Sequence, residues 1–420
     1  MIILLLYVAI FTGAFFAVRF GVRKFRQMND YTSLKTVTFG DESAVRPDRW
    51  ASVISVVTIF LLWGAFTGSK WVPLHAPGPF VGDTEFTYTL EGPDGTRDDA
   101  TVTVRVFKIG ETVETPVVDP GDGIAKNDVL TVGAWRSQLL LMDKNDEVTR
   151  DQGAKVVAID GKPVSDGQTV DVAAGTVAVT AKGSLNFAPA KGMQMEPIWL
   201  PPPEAVVSRL IEVSKQGYQN FTLWEHLYWS LFRVIVGFAL GALVGIPLGY
   251  AMGLSDWFRG WFDPIVEFMR PVPPLALIPL VIIWQALARA ARSSCCPRGA
   301  LIMTISARAG VSGVAISKVH AAYSLGASKW QLMRHVIVPN SLPEIFTGAR
   351  VAMGVCWGTV VAAELVAAEK GAGMMIMVAS RFQLTDIVLM GIILIGIIGY
   401  GIDILMRKAE TWLVPWKGRV

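Results

Sequence analysis

Apolar residues fall into three rhythms along this chain. Residues 2–18 and Ala51–Phe66 are nearly unbroken apolar runs. Each is slightly short of the about 20 residues that a bilayer core requires, so flanking residues complete the span. From about Gly78 to Gly192 the runs give way to alternation of apolar and polar positions, and from Leu200 to Val420 long apolar runs return. This pattern predicts a mainly α-helical polytopic membrane protein of about seven spans with an inserted all-β domain. Its expected divisions are 1–77 (two N-terminal membrane helices joined by a cytoplasmic loop), 78–192 (the β insertion) and 200–420 (the helical core).

Charge orients the first spans. Arg19, Arg23, Lys24 and Arg26 follow the first run instead of preceding it, the reverse of a signal peptide. The positive-inside rule then places the N-terminus outside and residues 19–49, where basic residues outnumber acidic ones, in the cytoplasm. The second run returns outward and ends near Trp71, an interfacial aromatic, so the β insertion is expected on the outer side.

Within the insertion, Val102, Val104 and Val106 alternate with Thr101, Thr103 and Arg105, and Pro93-Asp94-Gly95 supplies a turn. Further turns fall at Asp160-Gly161 and Lys182-Gly183. The expected form is a small antiparallel β-sandwich, loosely similar to Ig-like or cadherin-like modules. Asp119, Asp122, Asn127 and Asp128 hint at calcium, but no ligand pattern is complete and solvated turns are the preferred reading.

The return to the membrane opens with an amphipathic stretch at 202–217, expected at the outer surface. Between His226 and Gly253 glycines recur every fourth residue; Gly237, Gly241, Gly245 and Gly249 lie on one helix face, a surface for close helix packing. Gly354 and Gly358 form a second such pair. Ser341-Leu-Pro-Glu344 has the form of a capping box that starts a span. Glu364, fourteen residues beyond Arg350, is too distant along one helix to pair with it. An intramembrane carboxylate is either functional or a structural hydrogen-bonding group, and the sequence leaves both readings open.

His320–Pro339, HAAYSLGASKWQLMRHVIVP, lies between spans and is expected in the cytoplasm. Its two alanines, the glycine four residues on, and the hydrophobic-x-hydrophobic-Pro ending resemble the coupling-helix signature of binding-protein-dependent ABC transporter permeases. RPVPPLALIPLVIIW (Arg270–Trp284), the stretch Ser341–Leu365 and LVPWKG (Leu413–Gly418) extend that resemblance to the nitrate, sulfonate and taurine branch, nearest the taurine permeases. It covers roughly Leu200–Val420. His320 stands where the family signature usually begins with glutamate. The stretch QALARAARSSCCPRG (Gln285–Gly299) also departs, placing Arg289, Arg292 and Arg298 where the family has an apolar span. A compensated pair of frameshifts would account for it, and the coding DNA tests this, since one neighbouring frame must then read apolar.

The resemblance implies a homodimeric membrane subunit of an ATP-driven importer, served by cytoplasmic ABC ATPase subunits and an extracytoplasmic solute-binding protein. The implied cargo is taurine or a related alkanesulfonate, crossing a bacterial inner membrane, with the C-terminus cytoplasmic. Ala321, Ala322, Gly326, Ala327 and Trp330 are the implied ATPase-coupling residues around 318–340. Pro273 and Pro274, in a proline-kinked span, and Glu364 and Trp357 are the expected pathway residues. Nitrate or another small anion is the alternative cargo, and a membrane-tethered adhesion or scaffold protein with a degenerate core is the alternative class.

Composition narrows these readings. Hydrophobic residues make up 52 %, and the net charge of +3 sums opposite membrane faces, so it indicates no nucleic-acid partner. Cys295, Cys296 and Cys356 have neither metal-ligand nor disulfide spacing. No phosphate-binding G-x-x-x-x-G-K loop, catalytic triad or metal-ligand cluster is present, so no cofactor and no enzymatic activity is expected of the chain itself.

Overall fold

The computed structural model describes residues 2–25, 49–142, 145–273, Ala276 and 296–416. Their contacts divide the chain into two units, Met1–Glu204 and Ala205–Val420.

The first unit opens with α1 (Ile2–Phe25) and α2 (Arg49–Thr67). Both are apolar nearly all round, as a membrane helix must be. Two threonine hydroxyls are satisfied within their own helices: Thr12 donates to the Val8 carbonyl and Thr58 to that of Ile54, each at 2.7 Å. The two helices meet where the Tyr7 and Phe66 rings lie 4.1 Å apart.

Among the described residues nine strands follow: β1 (Gly82–Glu91), β2 (Arg97–Phe107), β3 (Asp128–Gly133), β4 (Gln138–Leu140), β5 (Lys155–Ile159), β6 (Lys162–Pro163), β7 (Thr169–Val172), β8 (Gly175–Val179) and β9 (Leu185–Pro189). They form two sheets, ordered β3-β2-β1-β5-β6 and β4-β9-β8-β7. The period-two pattern of β2 explains its burial, since Val102, Val104 and Val106 all point inward. There they join Phe86, Tyr88 and Leu90 from β1 and Val177, Leu185 and Phe187 from the second sheet in one core. Phe86 and Phe187 stack across the two sheets at 5.9 Å. The turn at Gly92–Thr96 closes with Gly95 at φ +78°, a conformation that glycine adopts without cost.

One detail departs from the antiparallel expectation: β2 and β3 run parallel. A parallel pair needs a long crossover, and residues 108–127 supply it. The Asn127 side chain anchors its end by accepting from the Thr101 N–H at 2.9 Å and donating to the Asp119 carbonyl at 3.0 Å.

The second unit is helical. It contains α3 (Pro203–Gln216), α4 (Leu223–Leu254), α5 (Asp256–Met269), α6 (Cys296–Ser312) and α7 (Ile316–Ser324), then α8 (Lys329–Leu332), α9 (Val338–Ala367), α10 (Ala372–Arg381) and α11 (Thr385–Leu413). α4 starts at a reciprocal cap, in which Thr222 accepts from the Glu225 N–H and the Glu225 carboxylate accepts from that of Thr222. Of α3's expected apolar side, Val206 and Val213 are buried while Val207 and Ile211 are exposed.

Among the described residues, four helices are long and apolar enough to cross a membrane. The count becomes five if α6 and α7, bent by 61° at their junction, make one broken span. The expected seven is therefore not reached among these residues. The apolar stretch of α1, Leu5–Gly21, and that of α10 are each short of a span by length. Residues 277–295, including most of the anomalous Gln285–Gly299 stretch, lie outside the described residues.

The Ser341 capping box is also corrected. α8 begins earlier, at a cap formed by Ser328 and Gln331, and one helix runs from Lys329 to Val366 through a π turn at Met333–Ile337. Ser341 is instead buried, bonded to the Val338 carbonyl and to the Tyr250 hydroxyl. The helix passes Pro343, which has no N–H for the Pro339 carbonyl four residues back. The Trp416 indole N–H donates to that carbonyl at 3.3 Å, so the helix continues without an orphaned acceptor.

Candidate functional site

The loop around Gly326 folds as a supported plate. α7 ends with the Leu325 N–H on the Ala321 carbonyl (3.2 Å), Gly326 on Tyr323 (2.9 Å) and Ala327 on Ala322 (3.1 Å). Gly326 takes φ +80° and has open space where a Cβ would sit, so its role is conformational: it reverses the chain between α7 and the Ser328 cap. Beneath, Val311, Leu332 and Ile337 are buried against Val314, Val319, Ala322, Met333, Val336 and Tyr250. Above, Leu325 is 88 % and Trp330 71 % exposed, with Ile316 and Tyr323 also open.

The five expected coupling residues divide between these faces. Ala321, Gly326 and Trp330 are on the exposed side, whereas Ala322 joins the supporting cluster and Ala327 is half-buried. Sequence reasoning missed Leu325 and Tyr323. Their signal was available, because large apolar residues beside a helix-ending glycine in a polar loop have no core of their own to enter.

A second constellation gathers where α9 ends and α10 begins. Glu364 is 2 % exposed. It pairs with Arg233 at 2.6 Å and accepts from the Ser230 hydroxyl at 2.8 Å and the Gly373 N–H at 3.1 Å. Ser230 in turn accepts the Ala372 N–H, and Arg233 also donates to the Lys370 carbonyl at 2.7 Å. His226, fully buried, accepts the Gly371 N–H on Nδ1 and donates from Nε2 to the Tyr218 carbonyl, each at 3.1 Å. Those two partners fix the neutral Nε2–H tautomer, because one is only a donor and the other only an acceptor. Gly371, at φ +144°, passes directly over the Glu364 carboxyl, where a Cβ would collide with it. The Lys370 ammonium lies 4.4 Å over the Phe221 ring. The group thus joins the first turns of α4 to the α9–α10 break and satisfies the otherwise unpaired N–H groups at the start of α10.

Of the expected pathway residues, Glu364 and Trp357 are packed inside the described chain. Both Glu364 oxygens are engaged inside that knot and face no open surface. Trp357 is buried between α4, α9 and α11, with its indole N–H on the Ile395 carbonyl at 3.2 Å. Within the described chain Glu364 is held by its ion pair and Trp357 by apolar burial. Pro273 is exposed, and Pro274 lies outside the described residues. Arg350, which the sequence separates from Glu364, faces α11, where Asp403 lies at 3.5 Å and Glu410 at 3.7 Å.

Glycines set the helix spacing. Gly237, Gly241, Gly245 and Gly249 are all buried on one face of α4. A Cβ at Gly245 would strike the Ala300 carbonyl of α6, and one at Gly249 would strike the Thr304 carbonyl and the Ala307 methyl. Gly354 and Gly358 differ: both are exposed on α9, and a Cβ at either would meet nothing. They make no helix contact within the described chain.

In the β unit, Asp128 is buried beside the Tyr88 hydroxyl at 3.2 Å. Burial pushes its carboxyl above the usual range, against the opposing hydrogen bonds from Asn145 and Tyr88. Asp119 accepts the Gly121 N–H at 3.4 Å, and among the described residues no His, Cys, Asp or Glu group is arranged to hold a metal ion.

Comparison with known proteins places these features. Residues 241–413 match the family described as "binding-protein-dependent transport system inner membrane component". The chain is 43 % identical over 228 residues to the taurine transport system permease protein TauC of Escherichia coli, covering 54 % of this chain and 83 % of that one. It is 36 % identical over 218 residues to the putative aliphatic sulfonates transport permease protein SsuC of Escherichia coli, covering 52 % and 81 %. It is 32 % identical over 197 residues to the nitrate import permease protein NrtB of Synechocystis, covering 45 % and 69 %. With a span-forming helical core, an exposed apolar plate at the signature loop and relatives of this kind, the chain belongs to the ABC transporter permeases of the nitrate, sulfonate and taurine family, which transport and do not catalyse.

Proposed function

We propose that the chain is the membrane-spanning subunit of an ATP-driven importer that carries taurine or a related alkanesulfonate across the bacterial inner membrane. The identity of 43 % to a taurine permease, over 83 % of that protein, carries the reading of the cargo. Two copies enclose the pathway, and each presents its 316–337 plate to one cytoplasmic ATPase subunit. Leu325, Trp330 and Tyr323 supply apolar contacts, while Gly326 and Ala321 let the partner approach closely. Because a buried cluster backs the plate, a push from the ATPase moves α7, α8 and the helix continuous with α8 together, with little local yielding. A solute-binding protein delivers the cargo from outside.

In this reading the N-terminus and the β unit lie outside, the C-terminus is cytoplasmic, and the whole chain has about seven spans. The two packed sheets then form an Ig-like or cadherin-like extracytoplasmic domain.

The test is ATP hydrolysis by the chain reconstituted in proteoliposomes with its ATPase and binding protein. Taurine is expected to stimulate hydrolysis several-fold over the solute-free rate. Stimulation by nitrate and not by taurine would keep the transporter and replace its cargo. Failure of any small anion to stimulate an assembled complex would contradict the importer reading and favour the scaffold class.

A further inference from the structure

The end of α2 and the two chain passages that lead to and from the β sheets are sewn into one collar. The Ala76 N–H donates to the Ala65 carbonyl (3.0 Å), Met195 to Phe66 (2.8 Å), Met193 to Pro77 (2.7 Å) and Phe80 to Ala190 (2.9 Å). The Trp63 indole N–H, one turn before the end of α2, donates to the Pro201 carbonyl at 2.9 Å. Gln194 crosses between the passages onto the Ala76 carbonyl at 2.8 Å. Gly192, at φ +65°, lets its passage lie against the backbone of Pro77 and Gly78, where any side chain would collide. Arg136 of the β unit reaches Glu196 at 3.1 Å. So many backbone bonds across two passages leave little freedom for the sheets to swing relative to α2.

This polar scaffold nevertheless displays large apolar side chains. Leu74 is 78 % and Trp199 74 % exposed, and Trp71 and Met193 are about half exposed. Trp71 stacks on Phe60 of α2, with ring centroids 6.4 Å apart, which ties it to the last turns of an apolar helix. Lys70 and Lys191 are exposed beside them. Aromatic and apolar residues interleaved with lysines at the end of an apolar helix match the chemistry of the headgroup boundary, where rings and stems enter the acyl edge and ammonium groups meet phosphates. Scattered exposed apolar residues such as Val117 and Leu139 are ordinary on a soluble surface; what sets the collar apart is that two exposed tryptophans, a leucine and a methionine gather on the one segment that is hydrogen-bonded to the end of α2.

We propose that the collar is a lipid-contact surface that seats the β unit on the bilayer, with Trp71, Leu74, Met193 and Trp199 in the headgroup boundary. The β unit is then held against the membrane at a set tilt, not tethered above it. The proposal rests on α2 crossing the membrane.

The test uses the full chain in liposomes, with Cys295, Cys296 and Cys356 replaced and a nitroxide attached at single introduced cysteines. Leu74→Cys and Trp199→Cys probe the collar. Val117→Cys, at a site 99 % exposed on the β unit, is the aqueous reference, and Val56→Cys on the open face of α2 is the lipid reference. The readout is the ratio of collision with oxygen, which favours lipid, to collision with a water-soluble nickel chelate. Ratios at Leu74 and Trp199 several-fold above that at Val117 and below that at Val56 are expected. Collar ratios equal to that at Val117, with Val56 in lipid, would overturn the seat and leave α2 as a span. An aqueous Val56 would overturn both.

Discussion

Glu364 is a carboxylate at the end of an apolar helix, a position that ordinarily disfavours charge unless a partner and hydrogen bonds compensate it. Arg233, Ser230 and the Gly373 N–H supply that compensation. Replacing Glu364 with Gln leaves Arg233 without its counter-charge. Removing one partner of a buried pair typically costs about 3–5 kcal/mol. The lower end applies here, because the Arg233 side chain keeps 25 % of its exposure. Thermal unfolding of the purified chain in detergent should show a clear loss for E364Q and a smaller one for E364Q combined with Arg233→Met. Equal loss in both would contradict the coupling. The sequence placed Glu364 inside an apolar run but left its role open, for a physical reason: Arg233 is 131 residues away, and only the pairing of α4 with α9 brings it within reach. The packing of Trp357 was no more legible, since nothing local distinguishes a tryptophan lining a pathway from one buried against neighbouring helices. Gly326 was legible, because a glycine between two short polar helices has few other uses.

At the scale of elements, two glycine series that read alike in sequence have opposite surroundings. The α4 series is in backbone contact with α6, so Gly245→Ala and Gly249→Ala each drive the helices apart, at a typical overpacking cost of about 1–3 kcal/mol. Gly354→Ala and Gly358→Ala add a methyl to open space and should leave unfolding of the monomeric chain unchanged or slightly raised, since alanine is the better helix former. Melting curves of the four variants check this; equal losses in both series would contradict the packing. Spacing identifies a stripe of small residues but not its neighbour. The β strands were more transparent, because period-two alternation in β2 specifies both the element and its buried face. The parallel pairing of β2 with β3 was not, since pairing partners are set by the crossover and not by either strand. The start of the span that includes α9 differs for a local reason: Ser341-Leu-Pro-Glu344 has the letters of a cap, but Ser328 and Gln331 already provide one, and Trp416 satisfies the carbonyl that Pro343 leaves open.

At the scale of the molecule, the chain joins a family core, matched over 241–413, to an N-terminal helix pair and a two-sheet unit. The family was legible because its signature stretches are short, contiguous and rich in glycine and proline, residues that the backbone itself constrains. The central claim is that the 316–337 plate converts ATPase motion into movement of the helices behind it. The measurement that tests it most directly is taurine-dependent ATP hydrolysis and ATPase co-purification for Gly326→Val and Trp330→Ala beside the unaltered chain. Gly326→Val strains a backbone held at φ +80°, and Trp330→Ala removes an exposed apolar contact, so neither touches the buried cluster beneath. The account predicts that both variants fold and insert normally, lose most of their bound ATPase and fall at least tenfold in stimulated hydrolysis. Variants that retain the ATPase and hydrolyse ATP in response to taurine as the unaltered chain does would contradict it.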